Sequence, residues 1–139
     1  MTDPNTLASD LRVVIGRLVR RFRAERRDIS LAQITVLGRL DRDGLSGVSA
    51  IAAAERVRPQ SVASTVAALE QAGLVSRRPD PGDGRRVVIE LTPAGHEALA
   101  ADRRRRDVWL ADAIARDLTA AERRVLAEAA ALLRRLADG

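Results

Sequence analysis

The chain has 139 residues, 46% hydrophobic and 31% charged, with a formal net charge of +5 and no cysteine. That composition suits a helix-rich globular protein of one domain, or a domain with an arm, and a chain of this size buries roughly 68% of its unfolded surface without covalent staples. The missing cysteines exclude disulfides, thiolate metal sites and thiol catalysis within the chain; no apolar run approaches the ~18 residues of a membrane span and no signal-peptide core opens the sequence, so the cytoplasm is the expected compartment.

All 24 basic residues are arginine. A GC-rich coding sequence is a sufficient cause. Arginine's planar fork nevertheless suits phosphate and guanine better than lysine does. Positive charge becomes informative only where one face collects it.

Met1–Thr6 reads as a frayed tail. From Leu7 to Arg27, Leu11, Val14, Ile15, Leu18 and Phe22 recur at helical spacing. Arg12, Arg17, Arg20, Arg23 and Arg27 fill the other faces. Ser30-Leu31-Ala32-Gln33 is a capping-box pattern, so a second helix starts at Leu31. Leu31, Ile34, Leu37 and Leu40 form its stripe, and Gly44 suits its stop. A short alanine-rich third helix covers about Val48–Glu55. Arg56-Val57-Arg58 turns the chain, and Pro59 fits the first position of a fourth helix that ends at Gly73. Strands over about Leu74–Arg78 and Arg86–Leu91 flank the turn formers Pro79–Gly84. Thr92-Pro93 opens a long fifth helix to about Arg116. Thr119-Ala120-Ala121-Glu122 is a second capping box, opening a sixth helix to about Ala137. The fold expected is mainly α with one small β-hairpin.

The fourth helix carries the strongest functional signal. At 100° per residue, Val62, Val66 and Leu69 share a core side, with Ala63 and Ala67 beside them. Ser61, Ser64, Thr65 and Ala68 share another side, edged by Gln60 and Gln71. That side is short, uncharged and rich in hydrogen-bonding groups. Glutamine reads adenine bidentately, and serine or threonine reads several base edges or phosphates. A solvated face elsewhere in this chain carries Arg, Asp or Glu. With the short helix before it, this segment makes a helix-turn-helix whose second member is the reader. Arg77, Arg78, Arg85 and Arg86 flank the hairpin loop that follows. Arg85 at the tip is placed to enter a minor groove, with Asp83 two residues away to hold its guanidinium.

Gly73-Leu74-Val75-Ser76-Arg77, followed by Asp83-Gly84-Arg85 and then Leu91-Thr92-Pro93-Ala94-Gly95, resembles the MarR family of winged helix-turn-helix regulators. That family shows G-L-[VI]-x-R after its recognition helix, and D-x-R followed by L-T-x-x-G across its wing. The resemblance covers nearly the whole chain. It implies a winged helix-turn-helix with N- and C-terminal dimerisation helices: residues 1–30 as the N-terminal dimerisation helix, 31–92 as the DNA-binding lobe and 93–139 as the C-terminal dimerisation helices, intertwined as one domain. It implies a sequence-specific DNA-binding transcriptional regulator of the repressor type, working as a homodimer on an inverted-repeat operator. Arg85 would enter the minor groove with Asp83 as its partner. Gln60, Ser61, Ser64 and Thr65 would face the major groove. Arg58, Arg77 and Arg86 would contact phosphates. Many members carry a basic residue inside the recognition helix. None stands between Pro59 and Gly73, so readout here would lean on Gln60, Arg58 and DNA shape.

The stripe of the first helix, and Val125, Leu126, Leu132, Leu133 and Leu136 of the last, would interdigitate with a second subunit under the same resemblance. Asp102–Asp107 interrupts the fifth helix with four arginines; these read first as a solvated face, and otherwise as partners of acids across subunits, of DNA or of an anionic effector. The family is often switched by small aromatic or anionic ligands between its dimer helices and its DNA-binding lobe. With one Trp, one Phe and no Tyr, an aromatic-lined cavity is thin here, and Phe22 and Trp109 read as core. His96 reads as structural. There is no nucleophile–base pair, Gly-rich phosphate loop or metal-ligand cluster, so neither an enzyme, a cofactor nor a metal is expected. The competing function is a non-specific or architectural DNA-binding protein without an effector.

Overall fold

Six helices and one hairpin make up the computed structural model, which describes residues 2–24 and 29–139. Helix α1 spans Pro4–Ala24. It begins earlier than expected because Asp3 caps it: the Asp3 carboxylate accepts from the Thr6 backbone N–H and hydroxyl at 3.0 and 3.1 Å. The expected end of this helix at Arg27 lies outside the described residues.

Helix α2 (Leu31–Asp43) opens on the expected capping box. Ser30 and Gln33 exchange side-chain-to-backbone hydrogen bonds of 3.2 and 2.9 Å. Helix α3 covers Val48–Glu55 and α4 covers Pro59–Gln71. Strands β1 (Val75–Pro79) and β2 (Val87–Leu91) pair antiparallel, Val75 opposite Leu91 and Pro79 opposite Val87. Helix α5 runs Pro93–Asp117 and α6 runs Ala120–Asp138. Helix α6 opens on the second capping box, between Thr119 and Glu122.

The chain divides into two compact units, Met1–Arg104 and Arg105–Gly139. The core lies in the first. Leu37 of α2, Ile51 of α3, Val66 and Leu69 of α4 and Ile89 of β2 are almost completely buried there. Burying each such side chain contributes about 1.5–3 kcal/mol. Val36 joins this core and Leu31, expected in it, is half-buried. Two devices fix the hairpin to the helices. Ser46 and Ile89 exchange backbone hydrogen bonds of 3.3 and 2.8 Å, which ties β2 to the segment before α3. Thr92 donates its hydroxyl to the Gly73 carbonyl at 2.6 Å and accepts from the Gly95 N–H at 3.1 Å, which ties the start of α5 to the end of α4.

Helices α1 and α6 contain no buried residue. Val14, Ile15 and Leu18 of α1 are exposed, as are Val125, Leu132 and Leu136 of α6. Phe22 and Trp109, expected in the core, are each half-buried. The apolar stripes of both helices are largely exposed. Among the described residues no helix is long and apolar enough to cross a membrane.

Candidate nucleic-acid interface

Backbone geometry sets the reading helix. Arg56 closes α3 in the left-handed conformation (φ 56°, ψ 44°), its N–H bonded to the Ala53 carbonyl at 3.3 Å. Arg58 is extended (φ −73°, ψ 139°), as a residue before proline must be, and Pro59 then starts α4 with its fixed φ. Val62, Val66 and Leu69 are buried at 3%, 0% and 0% exposure and lock the rotation of α4 about its axis. Gln60, Ser61, Ser64, Ala68 and Gln71 are therefore exposed. Ala63 and Ala67, expected beside the core, are exposed too. Only the narrow valine–leucine strip meets the helices beneath, and a methyl side chain is too short to widen it.

Thr65 differs from its neighbours on that face. It is half-buried, and its hydroxyl donates to the Ser61 carbonyl at 3.0 Å. It stands at the flank of the reading face, while Gln60, Ser61 and Ser64 stand open. From Pro59 to Leu69 the helix carries no charge. Glu70 ends that run, and its carboxylate accepts from the Arg77 Nε of β1 at 3.2 Å.

The wing tip is ordered by its aspartates. Asp80 Oδ1 accepts from the Gly82 N–H at 2.9 Å, and Asp83 Oδ1 accepts from the Arg85 N–H at 3.1 Å. The Asp80 N–H closes the loop on the Arg86 carbonyl at 2.9 Å. Asp83 was expected to hold the Arg85 guanidinium. It holds the Arg85 backbone instead, and its other oxygen lies 3.8 Å from Arg86 Nε. The tight turn points successive side chains apart, so the aspartate reaches a backbone N–H two residues on more readily than the guanidinium beyond it.

The candidate arginines thus fall into two groups. The guanidinium groups of Arg58 and Arg85 make no ion pair among the described residues, and both residues are exposed. Arg77 faces Glu70, Arg78 faces Glu90 at 3.4 Å, and Arg86 faces Asp83. These exposed pairs are worth about 0–1 kcal/mol each and exchange easily for a phosphate. Arg103 of α5 is committed elsewhere: it pairs with Asp41 of α2 at 3.0 Å. His96 Nδ1 lies 3.9 Å from the same aspartate, with its side chain 61% exposed. No group of His, Asp or Glu among the described residues could hold a metal ion.

An uncharged, hydrogen-bonding helix face beside an arginine-tipped hairpin presents side chains to a groove and cations to the backbone at its edge. Comparison with known proteins agrees. The MarR family model matches residues 29–87, which hold α2, α3, α4 and the wing loop. An uncharacterized HTH-type transcriptional regulator of Mycobacterium bovis is 41% identical over 134 residues, spanning 95% of this chain and 93% of its own length.

The chain belongs to the MarR family.

A second curated relative, the transcriptional regulator HosA of Escherichia coli, is 33% identical over 98 residues, 70% of this chain and 72% of its own. Among solved structures, a candidate transcriptional regulator from Pseudomonas aeruginosa is 36% identical, with a TM-score of 0.87 over 100% of this chain and 99% of that one. A MarR family protein from Bacillus stearothermophilus shares the fold at a TM-score of 0.82 and 21% identity, each chain covered in full. The fold is the MarR winged helix-turn-helix, and the protein is a DNA-binding transcriptional regulator, not an enzyme.

Two residues that sequence reasoning passed over shape this MarR-family interface. Glu70 occupies Arg77, and seven residues of separation across a turn gave no sign of it. Ser46 anchors the wing through one backbone bridge, which has no strand-like alternation to announce it.

Proposed function

We propose that this regulator is a repressor that binds an inverted-repeat operator as a homodimer in the cytoplasm. In the proposed division, residues 1–30 and 93–139 build the dimer and residues 31–92 bind each half-site. The single observation that carries the reading is the pairing of α4's open, uncharged face with Arg85, which is exposed and makes no ion pair among the described residues, at a wing tip held by aspartates. Gln60, Ser61, Ser64 and Thr65 face the major groove, Thr65 from the flank. Arg85 enters the minor groove, with Asp83 fixing its backbone. Arg58, Arg77 and Arg86 take phosphates, the last two after leaving their carboxylates.

The exposed apolar stripes of α1 and α6 support a second copy as their cover, which makes the interface isologous and places half-sites about 10 base pairs apart. In a solved protein that shares this fold, BpsR of Bordetella bronchiseptica, DNA binding is regulated by 6-hydroxynicotinic acid. Release by a small aromatic or anionic effector is accordingly part of the proposal. Such a ligand acts by binding one conformation better than the other.

The test is Arg85→Ala in fluorescence-anisotropy titrations against the operator, with dimer mass followed by sedimentation. Losing one such arginine contact costs about 1–3 kcal/mol per half-site, so affinity should fall at least tenfold while the dimer persists. Unchanged affinity removes the wing from the mechanism. Equal affinity of the wild type for operator and random duplexes would favour an architectural role.

A further inference from the structure

A cleft of about 270 Å³ opens between α2, α3 and the N-terminal half of α4. Its floor is apolar and well packed: Val36, Ile51 and Val62 are each nearly fully buried. A cavity of roughly 150 Å³ holds benzene, so this one has room for a body of about two fused rings. It lies wholly inside the DNA-binding lobe, apart from the position between dimer helices and lobe that the family resemblance implies for an effector.

Its polar lining is a set of acceptors. Thr35 donates its hydroxyl proton to the Leu31 carbonyl at 2.8 Å, and Thr65 donates to the Ser61 carbonyl at 3.0 Å. Both protons are spent on their own helices, so each oxygen offers the cleft only lone pairs. Glu55 brings the one charge in the lining, and it is negative. Among the described residues its ion pairs, with Arg39 Nε at 2.8 Å and Arg42 Nη2 at 3.8 Å, both fall on Oε1, and neither arginine lines the cleft. Oε2 remains to accept from an occupant. Ser61 alone can both donate and accept.

We propose that this cleft binds a small molecule with a two-ring apolar body and a hydrogen-bond-donating head, an ammonium or a hydroxyl, and that it rejects carboxylates. A carboxylate would set its charge against Glu55 and find two threonines unable to donate. Ser61 and Thr65, which form the α4 wall, also border the reading face, so occupant and DNA compete for the same edge of the helix. This second half rests on the DNA-binding reading of α4 given above.

Three probes that share a naphthalene body decide it: 1-naphthalenemethylamine, 1-naphthalenemethanol and 1-naphthoate. Each is titrated into the DNA-free full-length protein by calorimetry, with amide shifts followed by NMR. The amine and the alcohol should bind at least tenfold more tightly than the naphthoate and shift the amides of Thr35, Ser61 and Thr65. Ala32→Trp, at the exposed rim on α2, should abolish binding with an unchanged melting temperature. Glu55→Gln, which keeps an oxygen for Arg39, should bring the amine and the naphthoate within about threefold and leave the alcohol unaffected. Saturating amine should weaken operator binding at least tenfold. Equal binding of all three probes, no binding of the amine, or shifts elsewhere overturn the site. Tight amine binding with unchanged operator affinity overturns the competition and leaves the site standing. A protein that takes the amine but binds no DNA refutes the reading of α4 alone.

Discussion

Gly95→Ala should destabilise the protein more than any other single-methyl addition to its glycines. A Cβ built on Gly95 falls well inside van der Waals contact distance of the Leu74 carbonyl oxygen, with the Leu74 carbonyl carbon at 3.0 Å and Leu91 Cδ2 at 3.2 Å. The first obstacle is backbone, so no rotamer change relieves it. The start of α5 must lift away from the hairpin, which strains the packing by about 1–3 kcal/mol. The Thr92–Gly73 hydrogen bond of 2.6 Å and the Thr92 N–H to Leu74 carbonyl bond of 3.1 Å lie at the same joint. Losing one of them costs about 1 kcal/mol more. The sum is about 2–4 kcal/mol, or a fall in Tm of roughly 8–15 °C for a domain near this size. Thermal unfolding followed by circular dichroism, at one fixed protein concentration, measures it. Gly84→Ala at the wing tip is the control: nothing lies within 4 Å of its Cβ, and Tm should move by less than 2 °C in either direction by the same scale. A Gly95→Ala protein that melts within 2 °C of wild type would refute the close approach.

Other outcomes are expected. Glu70→Gln releases Arg77 from its carboxylate, so operator binding should tighten, by up to about fivefold for an exposed pair of this kind; weaker binding in an anisotropy titration would show that Glu70 does not compete with DNA. Gln60→Ala should flatten the base preference within each half-site when a library of single-position operator variants is titrated, and a preserved preference would place the reading elsewhere. The Thr119 backbone N–H, with its side chain second, holds the Glu122 carboxyl below its ordinary value. A lowered native value means that the capping box contributes above about pH 4.3 and fails as pH falls through that lowered value. The NMR titration midpoint of Glu122 should therefore lie below that of an ordinary glutamate; a midpoint at or above it would contradict the cap.

Periodicity and caps carried the fold. Ser30 with Gln33, and Thr119 with Glu122, form their boxes at the residues where the sequence places them, because those hydrogen bonds are local. Pro59 likewise opens α4. The exposure of α4's polar face was legible from three apolar residues, Val62, Val66 and Leu69, since burying that strip leaves the opposite side outward. What spacing could not show were contacts set by tertiary approach. The Leu-Thr-x-x-Gly run is recognisable as a pattern, yet its reason, Gly95 pressed on the Leu74 carbonyl, needs the hairpin folded against α5. Asp83 was placed correctly in the turn, but its choice of a backbone N–H over a guanidinium depends on the loop's curvature. Asp102 was read within a charge run. It is 1% exposed, and Arg105 and Arg106 are half-buried, because the helix turns part of the run away from solvent. The absence of buried residues in α1 and α6 was foreshadowed by their stripes, which have too few partners in so small a lobe.

The proposed function requires sequence-specific binding through arginine and phosphate. The most direct measurement is a fluorescence-anisotropy titration of the wild-type protein against the duplex upstream of its own coding sequence and against a scrambled duplex of equal composition, repeated across a salt series. A preference of about a thousandfold or more, with affinity falling steeply as salt rises, is the predicted result. Equal affinity for both duplexes, insensitive to salt, would contradict it.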